Sequence, residues 1–280
     1  MKLNAVLRNE SRLSVRNFKF SLLILIYTGL LSLLLLLIYR GYNNTISYQG
    51  LKVENSIYFY IAMVVIQAIL LLFIVPSLTS TAICSEREKQ TLDILLSTRL
   101  TPFQIIIGKV LASSMKVILL IICTIPLYAI CSLYGGVRIT NILSLIGTFI
   151  INTLFVSSIG ILVSTYTKTS RVATTLTYGI VLFMFIGNII ISAIIVLMVN
   201  SSSYATLDIF NIPFMYFSPV TGFVVMILSQ VGMEARYGMG YTNNFFQIHA
   251  DIICIIIQIV LSYIFILLAT RKLNPLKNKK

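Results

Sequence analysis

The chain has 280 residues, 58% of them hydrophobic and only 10% charged, against the rough quarter that a water-soluble domain carries. With a mean hydropathy of +0.97, lipid rather than water is its main solvent. The net charge of +13 is scattered in short segments beside apolar runs and is not gathered into one basic domain, which argues against a nucleic-acid partner.

Read in chain order, Arg8, Arg12 and Arg16 recur every four residues with Lys19 alongside, and Leu3, Val6, Leu7, Leu13 and Phe18 fall on the opposite side. This pattern predicts an amphipathic helix over 1–19 lying in the membrane surface. It serves either as an anchor to anionic lipid or also as a contact for a cytoplasmic partner. Phe20 to Ile38 is 19 residues without a charge. That exceeds a signal-peptide core, and no small-residue cleavage site follows, so it reads as the first span.

Further uncharged runs are Asn55 to Ser85, Val117 to Val137, Ile139 to Thr167, Val172 to Leu207, Ile209 to Met233 and Ile252 to Thr270. A helix rises about 1.5 Å per residue and a hydrocarbon core is roughly 30 Å thick, so about 20 residues suffice to cross it. The weakest candidate is Ile209 to Met233, interrupted by Pro213, Pro219, Gly222 and Gly232. Charge bias tests it. With six spans and a cytoplasmic start, 17 of the 21 basic residues fall inside, leaving Arg40, Lys52, Arg138 and Arg236 outside. Seven spans would give 13 against 8. Six therefore fit better, and the segment 200–250 lies outside. It is too apolar for a solvated loop, so short helices are expected there, either re-entrant or on the outer surface, acting as a cap or as a gate.

Within the spans, Gln67, Asn152, Asn188 and Gln258 are polar, and Gly160 and Ser164 sit four residues apart as a small-residue contact. Helix packing accounts for these more simply than a substrate path does. Pro76 and Pro126 are expected to kink their helices. Lys109 and Lys116, seven residues apart, share a helix face and are expected to snorkel to the interface rather than line a cavity. Cys84, Cys123, Cys131 and Cys254 show no metal spacing and read as small buried residues. His249 with Asp251 and Cys254 offers too few ligands for a metal, and no catalytic constellation is present.

The most informative stretch is Ser85 to Thr101, SEREKQTLDILLSTRLT, followed by Pro102. Ser85 with Glu88 has the spacing of a capping box, and Thr101, Pro102 and Gln104 repeat that signal for the next helix. Leu92, Leu95, Leu96 and Leu100 make an apolar stripe, with Glu86, Arg87, Glu88, Lys89, Asp93 and Arg99 around it. Such a stripe needs either a protein groove or the membrane surface to cover it.

This stretch resembles the signature of ABC-2 type transporter permeases: Glu-Arg, a few residues, Thr-Leu-acidic, two apolar residues, then Thr-Pro and Gly-Lys. It maps onto Glu86, Arg87, Thr91, Leu92, Asp93, Leu95, Leu96, Thr101, Pro102, Gly108 and Lys109. Gln90 departs from it, because many members have Gly there. The resemblance implies an all-α integral membrane protein. Its parts would be an N-terminal interface helix over 1–19, a six-helix permease domain over 20–270 and a basic cytoplasmic tail over 271–280. It further implies that 85–101 is a coupling helix docked on a separate ATPase dimer, with Glu86, Arg87, Glu88, Thr91, Leu92, Asp93, Leu95 and Leu96 in contact and Arg8, Arg12 and Arg16 as further interface residues. A second permease, identical or different, would complete the path, and export across the cell membrane is the implied direction. ATP and magnesium would be used by the partner. This chain has no phosphate-cradling loop, since Phe103 and Val110 stand where the first glycine and the hydroxyl belong beside Gly108 and Lys109. The alternatives are a secondary transporter, for which paired ionisable residues deep in the spans are lacking, and a membrane scaffold or enzyme.

Overall fold

The computed structural model describes residues 18–49, 54–92, 97, 101–135, 137–202, 216–231 and 250–273. Among them the structure is helical throughout, with no strand. The helices are α1 (Phe18–Gln49), α2 (Glu54–Thr79), α3 (Cys84–Glu88), α4 (Pro102–Cys123), α5 (Ile125–Gly135), α6 (Ile139–Tyr166), α7 (Ser170–Leu182), α8 (Asn188–Ser202), α9 (Pro219–Val231) and α10 (Ala250–Leu273). A wider π turn, Phe183–Gly187, joins α7 to α8.

Six stretches are long and apolar enough to cross a membrane: Phe20–Arg40, Tyr60–Glu88, Pro102–Ile130, Ile139–Tyr166, Ser170–Ile195 and Asp251–Leu273. Their alternation puts the start of the first and the end of the sixth at the same end of the bundle, which also holds Glu86. Apolar side chains on both sides of these helices explain why the sequence periodicity is weak. One side packs inward and the other, with Leu25, Leu33 and Leu36 on α1 or Ile256, Val260 and Tyr263 on α10, is left exposed for lipid.

At the centre stands α6. Its residues Leu145, Phe149, Phe155, Val156 and Ile159 are buried in one core with Tyr60, Leu71 and Val75 of α2, Val117 and Leu120 of α4, and Phe223 of α9. The small and hydroxyl-bearing residues of α6 let neighbours approach closely. A Cβ on Gly160 would lie 2.2 Å from Thr79 Oγ1. Packing of spans therefore accounts for Gly160 and Ser164, as their spacing suggested.

Among its described residues, the run Ile209 to Met233 has no helix long enough to span. Its described part, 216–231, holds the 13-residue α9, about 20 Å long and short of a crossing. It is re-entrant. Ser218 Oγ, just before it, donates to the Phe185 carbonyl at 3.3 Å, and the Phe223 ring meets Phe149 at 5.0 Å, both partway along the partner spans. One end higher, Gln230 Oε1 accepts from Tyr60 at 2.7 Å, while Nε2 donates to Asn141 O at 3.2 Å and Ser144 Oγ at 2.9 Å. Thus α9 climbs from the middle of α6 to its first turn. Its backbone is sheltered by protein, with Gly222 set so close to α10 that an added Cβ would lie 2.9 Å from Cys254 Cβ.

Candidate functional site

The signature stretch folds onto the end of the bundle. After α2, the turn Ser80 to Ile83 leads into α3, whose first amides have no side-chain cap of their own. Ser164 of α6 supplies it: Ser164 Oγ accepts from Ile83 N at 3.0 Å and Cys84 N at 2.9 Å. Cys84 Sγ, fully buried, donates in turn to the Ser164 carbonyl at 3.0 Å. The expected Ser85–Glu88 capping box is therefore absent. Helix α3 begins one residue before Ser85, its donors are met from another helix, and Glu88 is left for a different task.

Each of the three charges at Glu86, Arg87 and Glu88 holds a different span. Glu86 Oε1 is 2.7 Å from Lys109 Nζ on α4. Arg87 reaches the C-terminal end of α6, where Nη1 donates to the Thr167 carbonyl and Nη2 to the Thr165 carbonyl at 3.1 Å. A cation belongs there, because the last carbonyls of a helix are unmatched and its dipole is negative at that end. Glu88 takes the start of α7: Oε1 accepts from Ser170 N at 2.7 Å and Oε2 from Ser170 Oγ at 2.6 Å. Thr169, the N-cap residue of α7, has no side-chain cap bond, so Glu88 provides the carboxylate that this helix N-terminus favours.

Lys109 thus corrects the sequence reading. It does not snorkel, nor does it line an open cavity; it is 3% exposed and neutralised by Glu86. The pairing keeps a lysine inside the bundle that would otherwise be costly to desolvate. Its helix starts as expected, with a capping box in which Thr101 Oγ1 accepts from Gln104 N and the Gln104 side chain accepts from Thr101 N.

Beyond Glu88 the helix stops and does not run on to Thr101. Lys89 and Gln90 form a turn with Gln90 at φ 57°, and Thr91 N–H donates back to the Glu86 carbonyl at 2.9 Å. Left-handed backbone costs a side-chain-bearing residue about 1–2 kcal/mol and glycine almost nothing. That gives a physical reason for the glycine preferred at this position by the resembling sequences. Gln90→Gly is expected to stabilise the chain by about 0.5–1 kcal/mol, read as a raised thermal midpoint in detergent.

Leu92 then turns inward and is buried with Ile83, Ile105, Ile106, Val110, Ile161, Ala269 and Leu273. The chain covers this first leucine of the stripe itself. Lys89, Gln90 and Thr91 stay exposed, as do Lys168, Arg171, Arg271 and Lys272 around the same end of the bundle. Asp93, Leu95 and Leu96 lie outside the described residues, as do Arg8, Arg12 and Arg16 of the predicted interface helix.

The site accordingly brings Glu86, Arg87, Glu88 and Leu92 together as a knot in which Leu92 is buried, Glu86 and Arg87 are half-buried, and Glu88 stays on the surface with Thr91. The partners on α6 and α7 were not legible beforehand. The hydroxyl run Ser164, Thr165, Thr167, Thr169 and Ser170 is the only signal that pointed to them, and such residues also occur as ordinary span packing.

Six helices long and apolar enough to cross a membrane, with a charged knot fastening one end of the bundle, define a multi-pass membrane protein. The profile of ABC-2 family transporter proteins matches residues 26–268, and the chain belongs to that family. Among curated proteins, none matches it.

Proposed function

We propose that the chain is the permease subunit of an ABC exporter, driven by a separate ATPase dimer that uses ATP and magnesium. A second permease, identical or different, completes the transport path. Both chain ends lie on the cytoplasmic side, where the basic residues are concentrated. The observation that carries this reading is the knot: Glu86, Arg87 and Glu88, on one turn of helix, bind α4, α6 and α7. A push on that turn reaches the ends of three spans at once.

In this reading the exposed turn Lys89 to Thr91, with the rest of 85–101, receives the ATPase. Glu86 and Arg87, half-buried against α4 and α6, transmit its movement, while Glu88, exposed beside the turn, is open to the partner as well. An ATPase biases the permease only by binding its two conformations with different affinity. Rigid attachment of the contacted turn to the spans is what makes the two affinities differ. The segment 1–19 with Arg8, Arg12 and Arg16 is a second contact of the same side, and the cation collar of Lys168, Arg171 and Arg271 suits an acidic partner surface or lipid headgroups.

Two measurements test this reading. Purified from its own membranes in mild detergent, the chain is expected to retain a nucleotide-binding chain and magnesium-dependent ATP hydrolysis; a chain that purifies without either refutes the coupling. A cysteine at position 236 in intact cells is expected to react with an impermeant thiol reagent, and reaction only after lysis would reverse the orientation.

A further inference from the structure

A cavity of about 30 Å³ lies at the level where α9 begins. Leu71 and Val75 of α2, Phe149 and Asn152 of α6, Phe185 of the π turn and Phe223 of α9 line it. Three unrelated features meet here. The first is the π turn itself, a local widening common at functional sites. The second is the Ser218 bond to Phe185, which pins the tip of the half-helix. The third is Asn152, which is 6% exposed and whose Oδ1 has no hydrogen-bond partner.

The orientation of that amide is fixed. Nδ2 donates to the Thr148 carbonyl at 3.3 Å, and turning the group over would set two oxygens against each other. Thr153, beside it, spends its proton on the Phe149 carbonyl at 2.8 Å. Asn152 Oδ1 therefore lacks a donor, and the other polar capacity at the site is the second Nδ2 hydrogen and the Thr153 oxygen. A lone water would meet only the polar side of the niche, Asn152 and Thr153, and leave its aliphatic and aromatic walls uncovered. The group that fits has one donor on an aliphatic chain: the donor meets Asn152 and the chain meets the aromatic rings.

We infer that this niche binds the hydroxyl-bearing end of an aliphatic chain, with Asn152 Oδ1 as acceptor and Phe185 and Phe223 as walls. The inference goes beyond transport, since binding is a property of the chain without nucleotide. The niche takes only the end of such a molecule, and the remainder extends toward Ala68 and Leu72, the half-buried residues of its rim.

The probe is octan-1-ol carrying a diazirine on its chain, photolysed with the full chain in lipid nanodiscs and mapped by peptide mass spectrometry. Adducts are expected at Leu71, Phe185 or Phe223, reduced at least fivefold by excess octan-1-ol but not by octane. In Asn152→Leu the same adducts are expected to fall at least fivefold, while labelling of the lipid-facing α1 stays unchanged. Equal protection by octane and octan-1-ol on the unmutated chain overturns the inference, whatever becomes of the variant. So does labelling confined to α1 and the outer face of α10. Protection by a diacylglycerol would assign the natural occupant to a membrane lipid, and protection by octan-1-ol alone to a free amphiphile. Protection by neither refutes the site.

Discussion

Glu86→Ala is expected to destabilise the protein by about 3 kcal/mol. Removing one partner of a buried ion pair typically costs about 3–5 kcal/mol, because the other charge stays desolvated. The lower end applies here, since the Glu86 side chain keeps 25% of its exposure while that of Lys109 keeps 4%. The double variant Glu86→Ala with Lys109→Met removes both charges together and is expected to recover most of the loss. Thermal unfolding in detergent, arranged as a double-mutant cycle, measures the coupling directly. Simple additivity of the two single losses would mean that the pair does not hold α4 to the knot.

The second large effect is expected at Gly160. Its missing Cβ would lie 2.2 Å from Thr79 Oγ1, 2.9 Å from Thr79 Cβ and 3.3 Å from Ser80 N. Alanine there must push the end of α2 away from α6, at a cost of about 1–3 kcal/mol for overpacking. It also disturbs the turn that delivers Cys84 to Ser164. Gly147, on the same helix with nothing within 4 Å of its added Cβ, is the control: Gly147→Ala is expected to leave the unfolding midpoint unchanged. Thr79→Ala combined with Gly160→Ala should recover part of the loss, because it removes the 2.2 Å contact and leaves the 2.9 Å one. Equal behaviour of the two alanine variants would show that close approach of α2 and α6 is not what fixes the knot.

The spans were legible because lipid demands long charge-free runs and tolerates little else. The same rule, together with the charge count, argued against Ile209 to Met233 as a crossing, and two of the residues that diluted it, Pro219 and Gly222, lie in the short α9. The start of α4 was equally readable, since Thr101, Pro102 and Gln104 cap it through neighbours in sequence. The knot was not readable for the opposite reason. Its partners lie about 80 residues away in the case of Ser164, Thr167 and Ser170, and nothing local distinguishes a carboxylate that caps a distant helix from one that caps its own. So the bonds that tie Glu86, Arg87 and Glu88 to three spans could not be foreseen beside the docking role the sequence suggested. Lys109 looked solvated because its carboxylate sits 23 positions earlier. Gln90 was noticed as a departure from the family pattern, but its positive φ became visible only once the turn after α3 was in place.

The coupling account turns most directly on what touches the exposed turn after the knot. A chain carrying Gln90→Cys, isolated with the proteins that remain bound to it and treated with a short thiol-to-amine cross-linker, is predicted to link to a nucleotide-binding chain. The yield should change when ATP and magnesium are added, since the transmitted movement begins at that contact. Absence of any such link from Gln90, with equal or stronger linkage from a cysteine at Arg138 on the opposite end of the bundle, would contradict it.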